Sequence, residues 1–592
     1  MADDPRTVYQ RRQAYWNAEI ARHEARHLQV SNLRLAAVAA FGLLLWLAIG
    51  RDAVPGALVL APIALFFLLL PVHARVLNAR DRALRARGYY DRGLSRLDET
   101  WKGHGESGDR FLEGHPYARD LDLFGDASLF QRLTTARTQA GEDTLARWLG
   151  APASATEVLA RQGAVRELAA RQDVREALAI FAAEARVSRT GSLAAWAQAH
   201  PAGLTVMHLV AFAAVGLVTA AVLVLVFTER VPLSVAIGWA VVPGGLNYLL
   251  RRQTAQALSG VDAAADDLAL LAALLERVEH AAFDSPRLND IRARLTTEGQ
   301  PPSRRIRRLE WYLAARDSLR NEFVRPFAMV LQVRGQSAVA IDRWHQAHRH
   351  ALAHWLEAIG ELEALCALAT FAFEHPDAPY PQIADGAPQL VAEALWHPLL
   401  PAASAVANDV ALGPDGARVL IVSGSNMSGK STLLRAVGVN VVLALAGAPV
   451  CARTLRLSVM TPGATLRVQD SLDEGQSRFY AEILRIRDIV TQARQQPTLF
   501  LLDEILHGTN SHDRRIGADA IVRSLVDDGA IGIVTTHDLA LTRLSESLPG
   551  ARNVHFEDRL EDGHLIFDYR MRDGVVERSN ALELMRAVGI RV

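Results

Sequence analysis

A nine-residue segment, Gly424-Ser-Asn-Met-Ser-Gly-Lys-Ser-Thr432, constrains the fold of this chain most strongly. It fits the pattern G-x-x-x-x-G-K-[ST], and it stands between a predicted strand over 418–423 and a predicted helix over 433–445. In that order the glycines let backbone N–H groups surround phosphate oxygens at the start of a helix. The segment therefore predicts a phosphate-binding loop that follows a buried strand of a parallel sheet.

The polar residues of this segment have distinct predicted roles. Lys430 reaches the β- and γ-phosphate oxygens, and Ser431 holds Mg²⁺. The chain has only two lysines, Lys102 and Lys430, among its 64 lysine and arginine residues. A lysine at this position suits a site that requires a compact point charge rather than the planar fork of an arginine. The predicted nucleotide-binding residues of the segment are Gly424, Ser425, Asn426, Met427, Ser428, Gly429, Lys430, Ser431 and Thr432.

Two later strands end in residues suited to phosphoryl transfer. The predicted strand over 498–502 is followed by Asp503 and Glu504, and the strand over 531–536 is followed by His537. We expect Asp503 to orient the Mg²⁺ shell and Glu504 to polarise the attacking water. A lone histidine there is more often structural, but after these two motifs we expect His537 to sense the γ-phosphate. The predicted catalytic residues are Lys430, Glu504 and His537, and the predicted metal ligands are Ser431 and Asp503.

These motifs resemble those of the MutS family, in which Asn-Met inside the phosphate loop is distinctive. The resemblance covers most of the chain, residues 115–200 and 255–592, and is most specific in the ATPase motifs. The segments that carry it are GSNMSGKST, WHPLL (396–400), VANDV (406–410), SRFYAE (477–482), DEILHGTNSHD (503–513), TTHD (535–538) and 564–590, with 121–149 and 361–383 in a helical core.

The resemblance implies an ATPase whose sites are shared between two subunits. It implies that Asn408 lies near the nucleotide base and that Ser477 makes a trans-subunit contact, completing the site of the other subunit. Residues 510–513 match the loop that crosses the subunit interface. Arg478 stands where the family usually has threonine, which is a departure at the trans contact. ATP and Mg²⁺ are the implied cofactors, and an ATP-dependent homodimer is the implied assembly.

Four apolar runs predict membrane-spanning helices. Runs 35–50 and 53–72 are separated by two residues, and runs 203–227 and 231–250 by three. About 20 apolar residues cross the hydrocarbon core of a bilayer, so the pairs predict two transmembrane hairpins. The first run is short, and a buried core helix remains an alternative for it.

Arginines indicate how the hairpins are oriented. Arg34 precedes the first run, Arg75 and Arg80 follow the second, and Arg251-Arg252 follow the fourth. By the positive-inside rule both hairpins start and end in the cytoplasm. The mixed-charge lead of more than 30 residues is not a cleavable signal. We expect a multi-pass protein of a bacterial-type inner (cytoplasmic) membrane, with the ATPase domain and both termini in the cytoplasm.

The expected fold is an α/β P-loop ATPase domain of the ABC type at the C-terminus, preceded by an all-α MutS-like core that a transmembrane hairpin interrupts. A second hairpin near the N-terminus replaces the mismatch-recognition domain of MutS mismatch-repair proteins. The predicted parts are a cytoplasmic leader helix (1–33), transmembrane hairpin 1 (34–73), a linker (74–120), the first part of the core (121–200), transmembrane hairpin 2 (203–250), the second part of the core (254–385) and the ATPase domain (393–592).

Overall composition does not indicate nucleic acid as a partner, because the net charge is −1. Two cysteines, Cys366 and Cys451, supply neither a disulfide framework nor a metal cluster. One arginine cluster can bind DNA phosphates, face anionic lipid headgroups, or form a solvated helix face, and the sequence leaves these three open. Its members are Arg292, Arg294, Arg304, Arg305, Arg307 and Arg308.

Three functions are compatible with these features. The first is a membrane-anchored MutS-like ATPase that hydrolyses ATP at composite dimer sites to drive a conformational change. The alternative is a membrane-tethered DNA-binding ATPase of mismatch-repair or recombination type. An ABC-type transporter is a remote alternative, because the chain has no LSGGQ-like signature and Ile505-Leu506 follows the two acids where transporters usually have Pro-Thr.

Overall fold

The protein divides into two compact units. The computed structural model describes residues 4–51, 53–185, 192–295, 301–317, 325–466, 478–506, 510–538, 540–561 and 564–576. Unit 1 comprises Met1–Trp101 and Gln172–Val187, and unit 2 comprises Lys102–Arg171 and Ser188–Val592.

Among the described residues up to 374, the regular elements are helices. In chain order they are α1 (Pro5–Leu45), α2 (Leu60–Leu97), α3 (Leu129–Leu133), α4 (Gln139–Gly150), α5 (Ala155–Ala170), α6 (Gln172–Ala185), α7 (Ser192–Gln198), α8 (Val206–Phe227), α9 (Leu233–Trp239), α10 (Val241–Leu249), α11 (Arg251–Leu258), α12 (Val261–His280), α13 (Pro286–Leu295), α14 (Pro302–Asp317), α15 (Arg325–Val330) and α16 (Val333–Glu374).

Unit 1 is a long antiparallel hairpin of α1 and α2, with α6 packed on α2. Its polar end is fixed by an aromatic contact between Tyr9 and Tyr90, whose ring centroids are 5.6 Å apart. Gly93 permits this contact, because an added Cβ would lie 2.5 Å from the Tyr9 ring. Arg12 pairs with Glu176, which joins α6 to the same end of the hairpin. Polar and aromatic contacts therefore hold the half of the hairpin that is not apolar.

Several helices expose long apolar surfaces. Among the described residues, three helices are long and apolar enough to cross a membrane, and a fourth if one bent pair is a single span. They are Pro5–Gly50, Gly56–Leu97 and Val206–Phe227, and the bent pair is Leu233–Leu249 with Arg251–Leu258. At most 11% of the apolar window of each of the three is buried within the protein.

Helix α16 is the axis of the helical core in unit 2. Its 42 residues correspond to about 63 Å at 1.5 Å per residue. The second half is buried, and the helices that contact α16 along its length include α4, α5, α7, α8, α11, α13 and α14. This one helix therefore connects the apolar helix α8 with the region that adjoins the C-terminal sheets.

A buried carboxylate joins α16 to the start of α8. Asp342 accepts hydrogen bonds from the backbone N–H groups of Ala202 at 2.7 Å and Leu204 at 2.8 Å. Farther along α8, the buried Phe212 packs on Gly335, where an added Cβ would lie 2.4 Å from the ring. The first half of α16 thus holds α8 at two levels.

The C-terminal residues form two sheets. The strands are β1 (Gln382–Ala384), β2 (Leu390–Leu395), β3 (Asn408–Leu412), β4 (Val419–Ser423), β5 (Thr454–Ser458), β6 (Thr461–Thr465), β7 (Thr498–Asp503), β8 (Ile531–Thr536), β9 (Ala551–Glu561) and β10 (His564–Asp573). The helices among them are α17 (Lys430–Ala446), α18 (Arg478–Ala493), α19 (Ser511–Asp527) and α20 (Leu544–Ser547).

The larger sheet has the strand order β10-β9-β4-β8-β7-β6, and the smaller has the order β1-β5-β2-β3. In the larger sheet β6, β7, β8, β4 and β9 are parallel, and only β10 runs antiparallel. Every residue of β4 and β8 is buried, as a strand covered on both faces requires. Helices α18 and α19 cover one face, and α17 lies against β7 and β8. The carboxyl ends of β4, β7 and β8 therefore meet at one edge.

The N-terminal boundaries differ from those predicted. From Pro5 onward the leader is continuous with most of the first apolar run in the single helix α1, and no proline separates the two. Residues 74–97, which were predicted to be linker, continue α2, since their arginines, leucines and alanines favour a helix. Helix α6 belongs to unit 1 although we assigned it to the core over 121–200.

Two later boundaries differ as well. The fourth apolar run is divided into α9 and α10, and the chain then bends by 56° into α11. Strand β1 lies within the segment predicted as helical core (254–385), because it pairs with β5, where Gln382 is opposite Arg456. That pairing is long-range, so the local sequence does not reveal it.

We predict that Asp342→Ala destabilises the protein. The change leaves two backbone N–H groups without their acceptor at the start of α8, which costs about 1–3 kcal/mol for each group that is buried. The thermal midpoint in detergent should fall, and Asp342→Asn, which keeps one acceptor oxygen, should lower it less. Asp290→Ala is the matched control, because Asp290 is exposed on α13 and should change the midpoint little. An unchanged midpoint in Asp342→Ala contradicts this role.

Candidate functional site

The loop from Gly424 to Gly429 lies between β4 and α17, as the motif predicts. Gly424 and Gly429 have φ angles of 152° and 107°, which disfavour any residue with a Cβ. Met427, at φ 69°, is 83% exposed at the top of the loop. Helix α17 begins at Lys430, so its N-terminal N–H groups face the loop. The geometry is that of a phosphate cradle.

Two buried hydroxyl groups of the loop are unpartnered. The Oγ atoms of Ser425 and Ser428 are inaccessible, and neither has a hydrogen-bond partner among the described residues. A buried hydroxyl without a partner is costly, so such groups usually face a ligand or water. The loop therefore fits an anion with several acceptor oxygens.

Lys430 is buried and held in place by the loop itself. Its ammonium group donates to the carbonyl oxygens of Gly424 and Ser425, both at 2.9 Å. It also lies 3.4 Å from a carboxylate oxygen of Glu504. A buried ammonium group with these neighbours is a fixed positive charge at the mouth of the cradle.

The two acids after β7 have different environments. Asp503 accepts a hydrogen bond from the Thr535 hydroxyl at 2.5 Å, and that hydroxyl also accepts the Glu504 N–H at 3.0 Å. Thr535 of β8 thus fixes both acids relative to the neighbouring strand. Glu504 has a φ of 47°, an unfavourable conformation for a residue with a Cβ, and this turn directs its side chain to Lys430.

His537 lies at the end of β8 beside the same carboxylate. Its Nδ1 is 3.7 Å from Glu504 Oε2, while Glu504 Oε1 faces Lys430. Its side chain is 42% exposed, so a ligand can reach it. The structure therefore brings the three residues predicted to be catalytic into one connected group.

Most of the predicted site residues line one cavity of about 660 Å³. Those that line it are Asn408, Asn426, Met427, Gly429, Lys430, Ser431, Thr432, Asp503 and Glu504. Gly424, Ser425 and Ser428 do not line it, and His537 lines a small neighbouring pocket with Glu504. Ser431 and Asp503, the predicted metal ligands, thus share the cavity with Lys430.

Asn408 lines this cavity, but its amide group is used within the fold. It donates to the carbonyl oxygen of Tyr569 at 3.0 Å and accepts the N–H of Met571 at 2.7 Å. These bonds fix β10 where its register with β9 shifts. Tyr569 consequently lies against the loop, since a Cβ added at Gly429 would be 3.2 Å from its ring. Asn408 therefore positions the wall of the cavity as well as lining it.

Sequence reasoning missed several residues of the site. Thr535 and Tyr569 stood inside quoted motifs without a role, and the hydrogen-bonding potential of Thr535 beside two acids was a usable signal. Glu482 of the SRFYAE segment is buried and accepts the Leu506 N–H at 2.5 Å, which supports the turn after the acids. His397, which stands without a role inside the quoted WHPLL segment, and Phe556, which no local pattern indicated, also line the cavity.

The predicted trans-subunit contact Ser477 lies outside the described residues. Asn510, from the loop predicted to cross the interface, caps α19 by accepting the N–H of Asp513 at 2.9 Å. Such a cap stabilises the start of a helix. This role within the subunit is compatible with the predicted interface.

At least three of the six arginines of the cluster bond within the fold, two of them to acids. Arg294 contacts Glu361 at 2.5 Å and Asp290 at 3.1 Å, and Arg307 pairs with Glu276. Arg292 donates to the carbonyl oxygen of Ala281 at 2.8 Å. These contacts favour the solvated helix face over a phosphate-binding surface.

A parallel sheet with a phosphate loop after one strand and two acids at the end of the next strand but one defines the class of P-loop nucleoside triphosphatases. Residues 420–591 match the sequence model of MutS domain V. This match supports membership of the MutS family, and it rests on the C-terminal domain alone.

Individual relatives agree with this assignment. The chain is 33% identical over 232 residues to the DNA mismatch repair protein MutS of Geobacillus sp. (strain WCH70), covering 38% of this chain and 26% of that protein. It is 34% identical over 268 residues to the DNA mismatch repair protein MutS 2 of Halobacterium salinarum, covering 45% and 30%. The chain therefore spans less than a third of the length of either relative.

We predict that His397 makes the C-terminal domain sensitive to acid. Burial, together with the charges of Arg435 and Lys102, lowers the pKa of His397 to about 4 from an ordinary 6.5. Because the folded state favours the neutral ring, the stability from this group is present above pH 6.5 and is lost as the pH falls towards 4. The loss is about 3 kcal/mol at pH 4.

The measurement is the thermal midpoint of the protein between pH 7 and pH 4, compared with that of His397→Asn. The asparagine oxygen can replace Nδ1 as the acceptor for the Leu399 N–H, which now bonds at 3.1 Å. The variant should lose less stability over this range. Parallel pH profiles for the two proteins contradict the prediction.

Proposed function

We propose that this protein is a membrane-anchored MutS-like ATPase that binds and hydrolyses ATP to drive a conformational change. The observation that carries the proposal is a continuous path of packed helices from the nucleotide site to the apolar helices. Helix α17, which begins at the phosphate loop, packs on the helical core, and the core is fixed through α16 to apolar helices suited to a bilayer.

The first link of this path joins the nucleotide site to the core. Arg435 of α17 donates to the carbonyl oxygen of Asp120 at 3.2 Å. The Asp120 carboxylate is buried, contacts Arg485 of α18 at 2.5 Å and accepts the Leu466 N–H at 2.8 Å. Gly438 of α17 approaches Leu121 so closely that an added Cβ would lie 2.5 Å away. A shift of α17 would therefore displace the residues before α3.

The second link joins the core to α16. The buried Glu363 accepts the N–H groups of Arg137 at 3.0 Å and Thr138 at 3.3 Å, at the start of α4. Gly360 permits close packing there, because an added Cβ would be 2.6 Å from the Ala140 carbonyl oxygen. Close-packed interfaces transmit displacement rather than absorb it. From this junction α16 continues to α8, where Asp342 and Phe212 make the contacts described above.

The site suits ATP with Mg²⁺. Lys430 and the two serine hydroxyls would bind phosphate oxygens, and Ser431 with Asp503 would hold the metal ion, since Mg²⁺ takes one or two carboxylates plus substrate phosphates. Bound Mg²⁺ would neutralise phosphate charge and polarise the transferred group. Glu504 would orient and deprotonate the attacking water, with His537 beside it. To do so, Glu504 has to exchange its contact with Lys430 for one with water.

A homodimer with composite sites is part of the proposal. It rests on the family resemblance of Ser477 and of residues 510–513, and on the exposed position of the phosphate loop. Met427 and His537 both remain accessible from outside the subunit. A second subunit that covered them would exclude water from the reacting phosphate, which strengthens electrostatic stabilisation.

The alternative is an ATPase that acts on DNA from the membrane. Its support is that the two relatives named above are DNA mismatch repair proteins. Against it, Arg294 and Arg307 of the arginine cluster are paired with acids, and the net charge of the chain is −1. The membrane-switch function therefore has the stronger physical basis.

We predict that two substitutions separate binding from turnover. Lys430→Ala should weaken ATP binding roughly 10- to 100-fold, because a hydrogen bond to a charged group contributes about 1.5–3 kcal/mol. Glu504→Gln should lower turnover about 10²- to 10⁴-fold while ATP binding is retained or tightened, because it removes the carboxylate that competes for Lys430. Fluorescent-nucleotide titration and phosphate release measure the two quantities. Full turnover in Glu504→Gln would refute the assigned role.

We also predict that ATP turnover in the membrane-embedded protein is indifferent to DNA. The protein should stay with the membrane after alkaline carbonate washing. Its turnover in vesicles should be the same with duplex, mismatched or branched DNA, with Glu504→Gln measuring the background. Release by carbonate would remove the anchoring part of the proposal. Stimulation by DNA that disappears at raised salt would favour the DNA-acting alternative, because phosphate contacts weaken steeply with salt.

A further inference from the structure

We call residues 325–335 the tip. They comprise α15, the turn that follows it and the first residues of α16. Three of its large apolar side chains are exposed: Phe327 by 71%, Met329 by 51% and Leu331 by 45%. Within Arg325–Val330 only Ala328 is buried. Large apolar groups clustered in this way indicate an interaction surface.

The tip lies beside the helices that are apolar enough to cross a membrane. A Cβ added at Gly216, near the middle of α8, would be 2.8 Å from the Leu331 carbonyl oxygen. The side-chain amide of Asn247 on α10 donates to Gln332 at 2.7 Å. Gly216 follows Val206 by ten residues, or about 15 Å of helix. If α8 crosses a membrane, the tip is therefore inside the bilayer or at its boundary.

The backbone of the tip is suited to an environment without water. Gln332 adopts the left-handed conformation, with φ 55°, and reverses the chain. Its side chain donates to the Met329 carbonyl oxygen at 3.0 Å, and Gln336 donates to that of Leu331 at 2.6 Å. The Leu331 N–H bonds to the Phe327 carbonyl oxygen at 3.0 Å. Internal satisfaction of this kind is what non-helical backbone requires at membrane depth.

Two exposed arginines limit how deep the tip lies. Arg325 precedes the apolar group and Arg334 follows it. Long cationic side chains extend to the interface while neighbouring apolar groups remain in the acyl region, and they attract anionic headgroups. The pattern of an apolar centre with cationic flanks fits an element that lies in the acyl region of one leaflet while its arginines reach towards the headgroups.

We propose that the tip is a further membrane-inserted element, with its apolar side chains among the acyl chains of the cytoplasmic leaflet and its arginines at anionic headgroups. This rests on the proposed membrane anchoring. Lipid is the occupant favoured by continuity, because the exposed apolar faces of α8 and α10 adjoin the tip. Since α16 begins in the tip, the core is joined to the bilayer by its central helix as well as by the hairpin.

The test is depth-dependent fluorescence quenching. Met329→Cys is labelled with an environment-sensitive dye, and the protein is placed in vesicles of phosphatidylcholine and phosphatidylglycerol. The native Cys366 and Cys451 are buried and should not react. Some of the lipids carry a nitroxide, either near the headgroup or deep in the acyl chain. The label should emit at shorter wavelength than in water and lose more fluorescence to the shallow nitroxide than to the deep one.

Two reference positions make the result interpretable. Leu217→Cys, exposed on α8, reports whether the span itself is in lipid, and Leu159→Cys, exposed on α5, reports an aqueous position. Quenching at Leu217→Cys without quenching at Met329→Cys overturns the inference and leaves the anchoring intact. Failure at both positions overturns the anchoring. A blue-shifted label at Met329→Cys that neither nitroxide quenches indicates a second copy or another protein on the tip, and also overturns the inference.

A second variant tests the apolar contribution. Phe327→Asp places a carboxylate where acyl chains are proposed, so quenching at Met329→Cys should be reduced while quenching at Leu217→Cys is unchanged. Phe327→Leu is the matched control and should leave both values as they are. Unchanged quenching in Phe327→Asp would contradict insertion of this side chain.

Discussion

The arrangement of unit 2 depends on the packing of one continuous helix, α16. In its buried second half, the carboxylate of Glu363 accepts hydrogen bonds from the backbone at the start of α4. In its first half, Asp342 holds the start of α8. Burial raises the pKa of Glu363 to about 7, although three hydrogen bonds to the carboxylate oppose the shift. A buried acid of this kind fixes one particular packing of two helices, because only one register brings the donor groups of α4 within reach of its carboxylate oxygens. Contacts with α16 therefore position both the nucleotide domain and the hairpin that begins with α8.

The nucleotide site is organised around a competition between charges. Glu504 faces Lys430 on one side and His537 on the other, while Asp503 is fixed separately by Thr535. Phosphate oxygens would take over Lys430, which leaves Glu504 to act on water. The ion pair between Lys430 and Glu504 thus connects phosphate binding to activation of the attacking water. It also gives the proposed cycle a local change from which displacement can pass through α17 to the core.

Much of the site could be predicted, and the reasons are local. The loop from Gly424 to Gly429 and the acids after β7 depend on residue type and on neighbours in sequence, and the structure brings them to one edge of the sheet. Asn408 shows the limit, because its amide bonds to β10 more than 160 residues away. Tyr569 and Glu482 were missed for the same reason. Their roles arise from pairing and packing with distant segments, which leave no periodic pattern in the local sequence.

The sequence by itself determined the phosphate loop, the order of strands that end in acids, and the apolar runs with their arginine flanks, because these follow from backbone freedom, charge and hydrophobicity along a short stretch. The tertiary structure alone decided that β1 joins β5 and that the tip lies against α8. In each of these cases the deciding contact is made between segments far apart in the chain. The free energy of such contacts depends on complementary shapes and on buried hydrogen bonds, which become defined only when the whole domain has folded.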